Sequence, residues 1–338
     1  MRFLLCDPSS IREEKHGTVA VIGAGPAGLA ASGELVCRGY SVIVYDMNPE
    51  PGGLLIFGIP DLRLKKNRVA DGIRQLSEAG VEFKCNQFID SDKVREFLRE
   101  HNAVLVATGT WRTRIPGIPG VDSRGVFGGL EWLVDYHRRK RGYPPLFAGV
   151  FEEPVEPVVV VGGGMTAADV ALVARVELGL ETVLVYRRRM KDSPMGEREA
   201  EKLAEHGVEI RELLAPRRVL VKEGAVVGLE VSPVIPGPPD ETGRPSVIVD
   251  ESRTVLIRAG TIVFATGLKP TPPPTLESLG ILGEDGRVIV DDKMMTRIPG
   301  LFAAGDVVSG ASLVGKAFMS GRKAGESISL FLSRGKTC

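Results

Sequence analysis

Residues 18–28 decide the fold of this chain, and they read TVAVIGAGPAG. Thr18–Ile22 is a short apolar run rich in β-branched residues, which predicts a buried strand. Glycines follow at the spacing Gly-x-Gly-x-x-Gly, and a helical pattern with a proline near its first turn comes next. Such a turn lets a pyrophosphate approach the backbone, and the free amides of the helix N-terminus face the phosphates. The stretch therefore predicts a dinucleotide-binding strand, turn and helix.

The same pattern is repeated further along the chain. Residues 157–167 read PVVVVGGGMTA, again a strand followed by a glycine turn, with Ala167 in place of the third glycine. A third pairing links residues 104–109, VLVATG, with residues 262–267, IVFATG. These pairs predict an α/β fold with two Rossmann-like dinucleotide-binding domains, the second inserted in the first.

The duplication also predicts the domain boundaries. The outer domain is expected to comprise residues 1–112 and 269–338, and the inner domain residues 113–268. Residues 233–245 and 270–274 are rich in proline and predict excursions and turns. The first of these segments is expected to join two strands of the inner domain.

Charged residues at the ends of two strands distinguish the two ligands. Asp46 ends the strand after the first helix, where a carboxylate accepts hydrogen bonds from an unmodified ribose and repels a 2′-phosphate. Arg187 and Arg188 end the equivalent strand of the second copy, and their guanidinium groups suit a 2′-phosphate. FAD is therefore expected at the first turn and NADPH at the second, with NADH as the alternative nucleotide. Two alternatives stay open: glycine turns without a ligand, and a solvated basic face from Arg187 to Arg189.

The composition narrows the class of protein. The 338 residues suggest about two domains, and 43% of them are hydrophobic, which suffices for two cores. Lys+Arg and Asp+Glu are balanced at 43 each, so the net charge favours neither nucleic acid nor an anionic membrane as a partner. No stretch has the length of a membrane span or the pattern of a signal peptide, and a cytoplasmic protein is expected.

Cysteine and histidine residues give no sign of a redox motif or a metal site. Cys6, Cys37, Cys85 and Cys338 include no CxxC pair and lack the clustered spacing of iron–sulfur ligands, so scattered reduced thiols are predicted. The histidines lie in polar surroundings without ligand-like spacing and are predicted to be surface residues. They are His16, His101, His137 and His206. No metal and no catalytic side chain are predicted, because in such an enzyme a flavin carries the chemistry.

An ordered set of motifs covers nearly the whole chain and resembles one family. After the first glycine turn come residues 51–60, PGGLLIFGIP, then Ala-Thr-Gly at 107–109 and GGGMTAAD at 162–169. Tyr186 with two arginines and residues 299–306, PGLFAAGD, complete the set. In these motifs the chain resembles the two-dinucleotide-binding-domain flavoproteins, and within them the glutamate synthase small subunit and its relatives in NADPH-dependent ferredoxin oxidoreductases.

The resemblance implies further cofactor contacts. Gly53 and Leu54 would lie near the flavin ring and its ribityl chain, and Asp306 would hold the ribityl or pyrophosphate region, with a helix cap as the alternative role for Asp306. The residues predicted to bind FAD are Gly23, Gly25, Pro26, Ala27, Gly28, Asp46, Gly53, Leu54, Ala107, Thr108, Gly109, Gly305, Asp306, Val314 and Gly315. Those predicted to bind NADPH are Gly162, Gly164, Met165, Thr166, Ala167, Arg187, Arg188 and Gly267.

The family also implies a reaction, the transfer of hydride from NADPH to FAD and of electrons to a protein partner, either a glutamate synthase large subunit or a ferredoxin. Two departures from the family are visible: only Cys6 precedes the first glycine turn, whereas the family carries a cysteine-rich iron–sulfur segment there, and Asp46 stands where glutamate is more frequent. One alternative is a stand-alone NAD(P)H:acceptor reductase without a redox-active disulfide, and a homo-oligomer of this kind stays open. Another is a protein in which the dinucleotides are only structural ligands or sensors.

Overall fold

The computed structural model describes residues 1–11, 16–147, 153–240 and 243–334. The chain divides into two compact units. The first unit comprises Met1–Trp111 and Lys269–Cys338, and the second comprises Arg112–Leu268. In the described ranges, no helix is both long enough and apolar enough to cross a membrane.

Strands alternate with helices along most of the chain. The strands are β1 Thr18–Ile22, β2 Ser41–Tyr45, β3 Val81–Lys84, β4 Ala103–Val106, β5 Thr110–Thr113, β6 Val126–Gly128, β7 Val158–Val161, β8 Thr182–Tyr186, β9 Glu209–Glu212, β10 Leu214–Lys222, β11 Ala225–Pro239, β12 Pro245–Val249, β13 Val255–Arg258, β14 Thr261–Phe264, β15 Leu268–Pro270 and β16 Leu301–Ala303. The helices are α1 Pro26–Cys37, α2 Leu54–Phe57, α3 Lys66–Glu78, α4 Ser91–Glu100, α5 Gly129–Lys140, α6 Met165–Leu172, α7 Glu197–Glu205, α8 Thr275–Ser278, α9 Asp306–Ser309 and α10 Val314–Arg334. Short 3-10 helices span Pro8–Ser10 and Met190–Asp192, a π-helical segment Val173–Glu177 extends α6, and β5 and β15 pair with each other.

The first unit is built on a parallel sheet with the strand order β16-β4-β1-β2-β3. Its central strand β1 is apolar and almost wholly buried, as expected for a parallel sheet covered by helices on its faces. α1 and α10 pack closely: a Cβ at Gly321 would collide with the carbonyl of Ala27. The buried Glu34 of α1 forms ion pairs with Arg38 at 2.6 Å and with Arg322 of α10 at 3.6 Å.

The second unit repeats this architecture and adds an antiparallel sheet. Its parallel strands follow the order β6-β14-β7-β8-β9, and the added sheet has the order β10-β11-β12 with β13 paired to β11. Apolar residues of both sheets form one core, among them Val159, Val185 and Leu229. The predicted fold of two Rossmann-like α/β units, the second inserted in the first, is thus confirmed.

The proline-rich segment 233–245 differs from the prediction of an excursion. β11 runs through Pro233 to Pro239, and β12 begins at Pro245, so most of the segment consists of two hairpin strands. The backbone of proline suits an extended strand, and proline is tolerated where its nitrogen need not donate to a neighbouring strand. Residues 241 and 242 lie outside the described residues.

The cysteines also differ from the prediction of scattered thiols. Cys6 and Cys37 form a disulfide with a Cα–Cα distance of 5.7 Å. The N-terminal segment packs on α1, where Phe3 is fully buried and its carbonyl occupies the space in which Gly33 would carry a Cβ. This packing places Cys6 beside Cys37, across 31 residues of sequence. Cys85 is a free thiol, and Cys338 lies outside the described residues.

Candidate functional site

The first glycine turn connects β1 to α1, and two of its glycines are required by the protein itself. Gly23 has a φ of +108°, and a Cβ there would lie 2.5 Å from the carbonyl oxygen of Ala107. A Cβ at Gly28 would collide with the carbonyl oxygen of Gly23. These two glycines therefore allow the backbone of the turn to approach the start of the helix and the end of β4.

Gly25 is different, because neither its conformation nor the surrounding protein requires a glycine. Its φ of −78° suits any residue, and a Cβ there would meet no heavy atom within 4 Å. Gly25 is the N-cap of α1, with Pro26 and Ala27 in the first turn of the helix. A glycine that borders open space at a helix N-terminus fits a site in which a phosphate approaches the backbone. Gly53 lies against it, since a Cβ on Gly53 would be 2.9 Å from the Gly25 Cα.

Asp46 has a structural role that sequence analysis missed. Its buried carboxylate accepts hydrogen bonds from the backbone N–H of Ala24 at 2.6 Å and from that of Asn48 at 2.8 Å. The side-chain amide of Asn48 donates to the same carboxylate at 3.0 Å. Asp46 therefore ties the glycine turn to the end of β2, and its contact with a ribose stays a prediction. Burial, followed by the charges of Asp46 and Glu50, raises the pKa of the Cys85 thiol to about 11.

The Ala-Thr-Gly stretch at the end of β4 borders the first glycine turn. The Ala107 N–H donates to the carbonyl of Ile22 at 2.8 Å, and the Trp111 indole N–H donates to the carbonyl of Thr108 at 2.7 Å. Within the described ranges, the buried hydroxyl of Thr108 has no hydrogen-bond partner. Gly109, the last residue of the stretch, adopts a φ of +71°. A buried hydroxyl of this kind is available to a ligand.

Asp306 lies in a tight turn between β16 and α10. The N-cap of α9 is Gly305 and Asp306 is the first helical residue, so the helix-cap alternative for Asp306 is wrong. Its carboxylate accepts a hydrogen bond from the Ser312 hydroxyl at 2.7 Å. Burial raises the pKa of Asp306, and the hydrogen bonds from Ser312 act in the opposite direction.

Three further predicted FAD residues begin helices in the first unit. Leu54 is the first residue of α2, and Val314 and Gly315 begin α10. A Cβ at Gly315, as at Gly25, would meet no heavy atom within 4 Å. The structure thus brings Gly53 against Gly25. It also brings Gly305 close to Ala27, because a Cβ added to Gly305 would lie 2.8 Å from the Cβ of Ala27.

The second glycine turn, between β7 and α6, has the same division of roles. Gly162 has a φ of +154°, and a Cβ there would collide with the carbonyl of Ala265. A Cβ at Gly163 would enter the ring of Tyr186. Gly164, the N-cap of α6, has a φ of −98° and open space where a Cβ would be. The first helical turn contains Met165, Thr166 and the fully buried Ala167, and Gly267 follows β14 with a φ of +112°.

The arginines at the end of β8 are not equivalent. Arg187 and Arg189 are exposed, whereas the Arg188 side chain is only 12% exposed. The Nε of Arg188 donates to the carbonyl of Pro245 at 2.7 Å, and its Nη2 lies 2.7 Å from an Asp240 carboxylate oxygen. The alternative of a solvated basic face is therefore wrong for Arg188. The three arginines line a shallow recess together with Val234, Pro236 and Pro245.

The histidine prediction is wrong for His137. This residue of α5 is 2% exposed, and its Nδ1 lies 2.7 Å from the Leu133 carbonyl of the preceding turn. α5 is buried along most of its length, including the charged side chains of Asp135 and Arg138, and this tertiary burial is not visible in the local polar sequence. Asp135 accepts the backbone N–H of Leu146 at 2.7 Å, and burial raises its pKa.

Comparison with known proteins places these features in one family. The family described as pyridine nucleotide-disulphide oxidoreductase matches residues 17–321. The chain is 37% identical to a protein named "Putative glutamate synthase [NADPH] small chain" from Cereibacter sphaeroides, over 97% of this chain and 80% of the relative. It is 36% identical to the "Glutamate synthase [NADPH] small chain" of Azospirillum brasilense, over 95% and 68% of the two chains.

Solved structures share the fold at low sequence identity. Mycobacterium tuberculosis FprA in complex with NADPH superimposes with a TM-score of 0.78 at 18% identity, over 95% of this chain and 85% of FprA. That likeness concerns the fold, while the family rests on the sequence matches. The chain therefore belongs to the pyridine nucleotide-disulphide oxidoreductase family, and it is an oxidoreductase that resembles the glutamate synthase small chain.

Proposed function

We propose that the protein is an FAD-dependent NADPH oxidoreductase that passes electrons to a protein partner. In this proposal the first unit binds FAD and the second binds NADPH. The observation that carries it is the pair Gly25 and Gly164: each is a helix N-cap at which neither backbone conformation nor protein packing requires glycine. A bound pyrophosphate at each turn accounts for both residues.

The residues of the first unit fit a flavin dinucleotide in their chemistry. The N-terminus of α1 offers unpaired backbone amides and the positive end of a helix dipole to a pyrophosphate. Asp46 is an acidic acceptor fixed by hydrogen bonds from Ala24 and Asn48, and a carboxylate at this place suits ribose hydroxyls and disfavours a 2′-phosphate. The Asp306 turn and the first residues of α10 would hold the ribityl or pyrophosphate region. A flavin so held supplies acceptance of hydride from a reduced nicotinamide and release of electrons to a further acceptor.

The residues of the second unit fit a nucleotide with a 2′-phosphate. The N-terminus of α6 would receive the pyrophosphate at Gly164. Arg187 and Arg188 follow β8 in the same way that Asp46 follows β2. Guanidinium groups bind phosphate through charge-assisted hydrogen bonds, and Arg188 is already held in one orientation. NADH lacks the 2′-phosphate and is expected to be the weaker substrate.

A protein acceptor is proposed from the relatives, which are named as small chains of an NADPH glutamate synthase. Their names motivate a larger companion chain as the electron acceptor, with a ferredoxin as the second candidate. Cys6 and Cys37 do not replace such an acceptor, because Cys37 ends α1 at the opposite end of the helix from Gly25.

An anaerobic titration tests the proposal. The purified protein is expected to show the absorption of oxidised flavin, and stoichiometric NADPH is expected to bleach it, with NADH less effective. A bound flavin that neither nucleotide bleaches would contradict the proposed hydride transfer and favour a sensor or structural role. A colourless preparation is first incubated with FAD and desalted, and failure to retain the flavin would contradict the FAD assignment.

A further inference from the structure

The hairpin between β11 and β12 holds one of the two arginines proposed for the 2′-phosphate. Asp240 follows directly after β11, and its carboxylate oxygen Oδ2 lies 2.7 Å from the Nη2 of Arg188. The backbone carbonyl of Pro245, the first residue of β12, accepts the Nε–H of the same guanidinium at 2.7 Å. Asp240 and Pro245 are remote from β8 in sequence, and together they fix the side chain of Arg188, which follows β8.

Asp240 is itself hydrogen-bonded to Gly243 and Arg244 of the same hairpin. Its N–H donates to the Arg244 carbonyl at 2.7 Å, and its own carbonyl accepts the N–H of Gly243 at 2.8 Å. Its second carboxylate oxygen accepts the N–H of Arg244 at 3.2 Å. The carboxylate that meets Arg188 is thus also tied to the backbone of the hairpin through its other oxygen.

The contact leaves Arg188 able to bind an anion. An arginine has five N–H donors in a planar fork, and in the described part of the chain Asp240 and Pro245 engage two of those of Arg188. Counting only contacts with described residues, three donors remain on this guanidinium, which lines the recess together with Arg187. A long side chain that is already fixed loses less conformational entropy when its ligand binds.

We propose that Asp240 is a specificity-determining positioning residue, which holds Arg188 in place for the 2′-phosphate of NADPH. This inference rests on the proposed function of the second unit. In this proposal, part of the preference for NADPH over NADH comes from the hairpin, in addition to the glycine turn and the two arginines. Asp240 acts through Arg188 and touches no reacting atom.

Calorimetric binding of NADP⁺ and of NAD⁺ to the full chain tests the proposal without relying on catalysis. Asp240→Ala is expected to weaken NADP⁺ binding about tenfold and to leave NAD⁺ binding unchanged, because only the 2′-phosphate uses Arg188. Asp240→Asn is expected to have a smaller effect, since its amide oxygen still accepts from Arg188. Glu230→Ala is the matched control: it removes an arginine–carboxylate contact of 2.8 Å between Glu230 of β11 and Arg218 of β10, in the same antiparallel sheet.

The outcomes separate this inference from the proposed function. If Asp240→Ala binds NADP⁺ as tightly as the wild type or more tightly, while Arg188→Ala loses affinity, the positioning role is wrong and the nucleotide assignment survives. If the wild type does not distinguish NADP⁺ from NAD⁺, the assignment of a 2′-phosphate site fails, and this inference fails with it. Equal loss of both nucleotides in Asp240→Ala would reveal a general structural role and would also overturn the proposal.

Discussion

The two glycine turns share one backbone plan but differ at the residues that follow the second strand. After β2, the buried Asp46 uses its carboxylate to tie down the turn through Ala24. After β8, Arg188 is held by the hairpin residue Asp240. In the first unit the charged residue after the second strand is thus held within the repeated motif, whereas in the second unit it is held by the added antiparallel sheet.

The turns differ at the third glycine position as well. In the first turn a Cβ at Gly28 would collide with the Gly23 carbonyl, whereas the second turn accommodates the methyl group of Ala167. In each turn the glycine that caps the following helix, Gly25 or Gly164, has open space where a Cβ would be. The comparison therefore separates glycines that the fold requires from glycines that a ligand requires, and substitutions can test that separation.

The largest expected effect is the loss of a ligand from a folded protein. Gly25→Val is expected to yield protein without FAD, because the side chain would occupy the space through which the pyrophosphate approaches the backbone. The matched variant Gly164→Val is expected to retain FAD and to lose bleaching by NADPH. Flavin content and circular dichroism of both variants check the prediction. Retention of normal flavin content by Gly25→Val would contradict the assignment of the first turn.

The next effect concerns the two arginines proposed to bind the 2′-phosphate. Replacing Arg187 and Arg188 together by Ala is expected to raise the KM for NADPH, with each lost charge-assisted contact worth about 1.5 to 3 kcal/mol. The KM for NADH is expected to change little, because NADH has no 2′-phosphate. Steady-state kinetics with both nucleotides and an artificial acceptor measures the ratio. An equal loss for the two nucleotides would refute the 2′-phosphate site.

A smaller effect concerns stability and not the ligand. Gly28→Ala is expected to lower the free energy of unfolding by about 3 kcal/mol, because the methyl group would overlap a backbone carbonyl that cannot move aside. The reciprocal Ala167→Gly is expected to cost only about 1 kcal/mol, the helix penalty of glycine. Denaturant titration of the two variants without ligands provides the measurement. Similar losses in both would show that the two turns are equally tolerant.

The sequence predicted the parts of this comparison that depend on local order. The apolar strands, the glycine turns and the helix start at Pro26 follow from short-range patterns, and the duplication predicted two units of one fold. The helix start at Val314 was implied by the family resemblance. Strand ends carry the distinguishing charges, so the sequence singled out Asp46 and the arginines, and their contacts with a nucleotide stay predictions. Each of these signals lies within a few residues of the element it marks.

The contacts that tertiary packing creates could not be predicted in this way. Asp240 lies 52 residues beyond Arg188, and Cys6 lies 31 residues before Cys37. The proline-rich segment contains no signal of the hairpin register that brings Asp240 to β8. His137 is polar in sequence but is buried because most of α5 is enclosed by the rest of its unit. Pairing across such distances depends on how elements pack, which one sequence does not specify locally.

The smallest expected effect is the reactivity of Cys85, which reports on the buried carboxylate at the end of β2. Burial and then the charge of Asp46 raise the pKa of this thiol from 9.0 to about 11, so at pH 8 its thiolate fraction is about a hundredfold lower than that of an unshifted thiol. In a Cys338→Ser variant without reductant, alkylation is expected to be slow and to keep rising with pH until about pH 11. Glu50→Gln should accelerate it, since the Glu50 charge also raises the pKa, and Asp46→Asn more so. A rate that levels off near pH 9 would contradict both the burial of Cys85 and the charges beside it. An unchanged rate in Asp46→Asn would mean that the Asp46 carboxylate does not act on the thiol, and the contrast between an acidic residue after β2 and arginines after β8 would lose its first half.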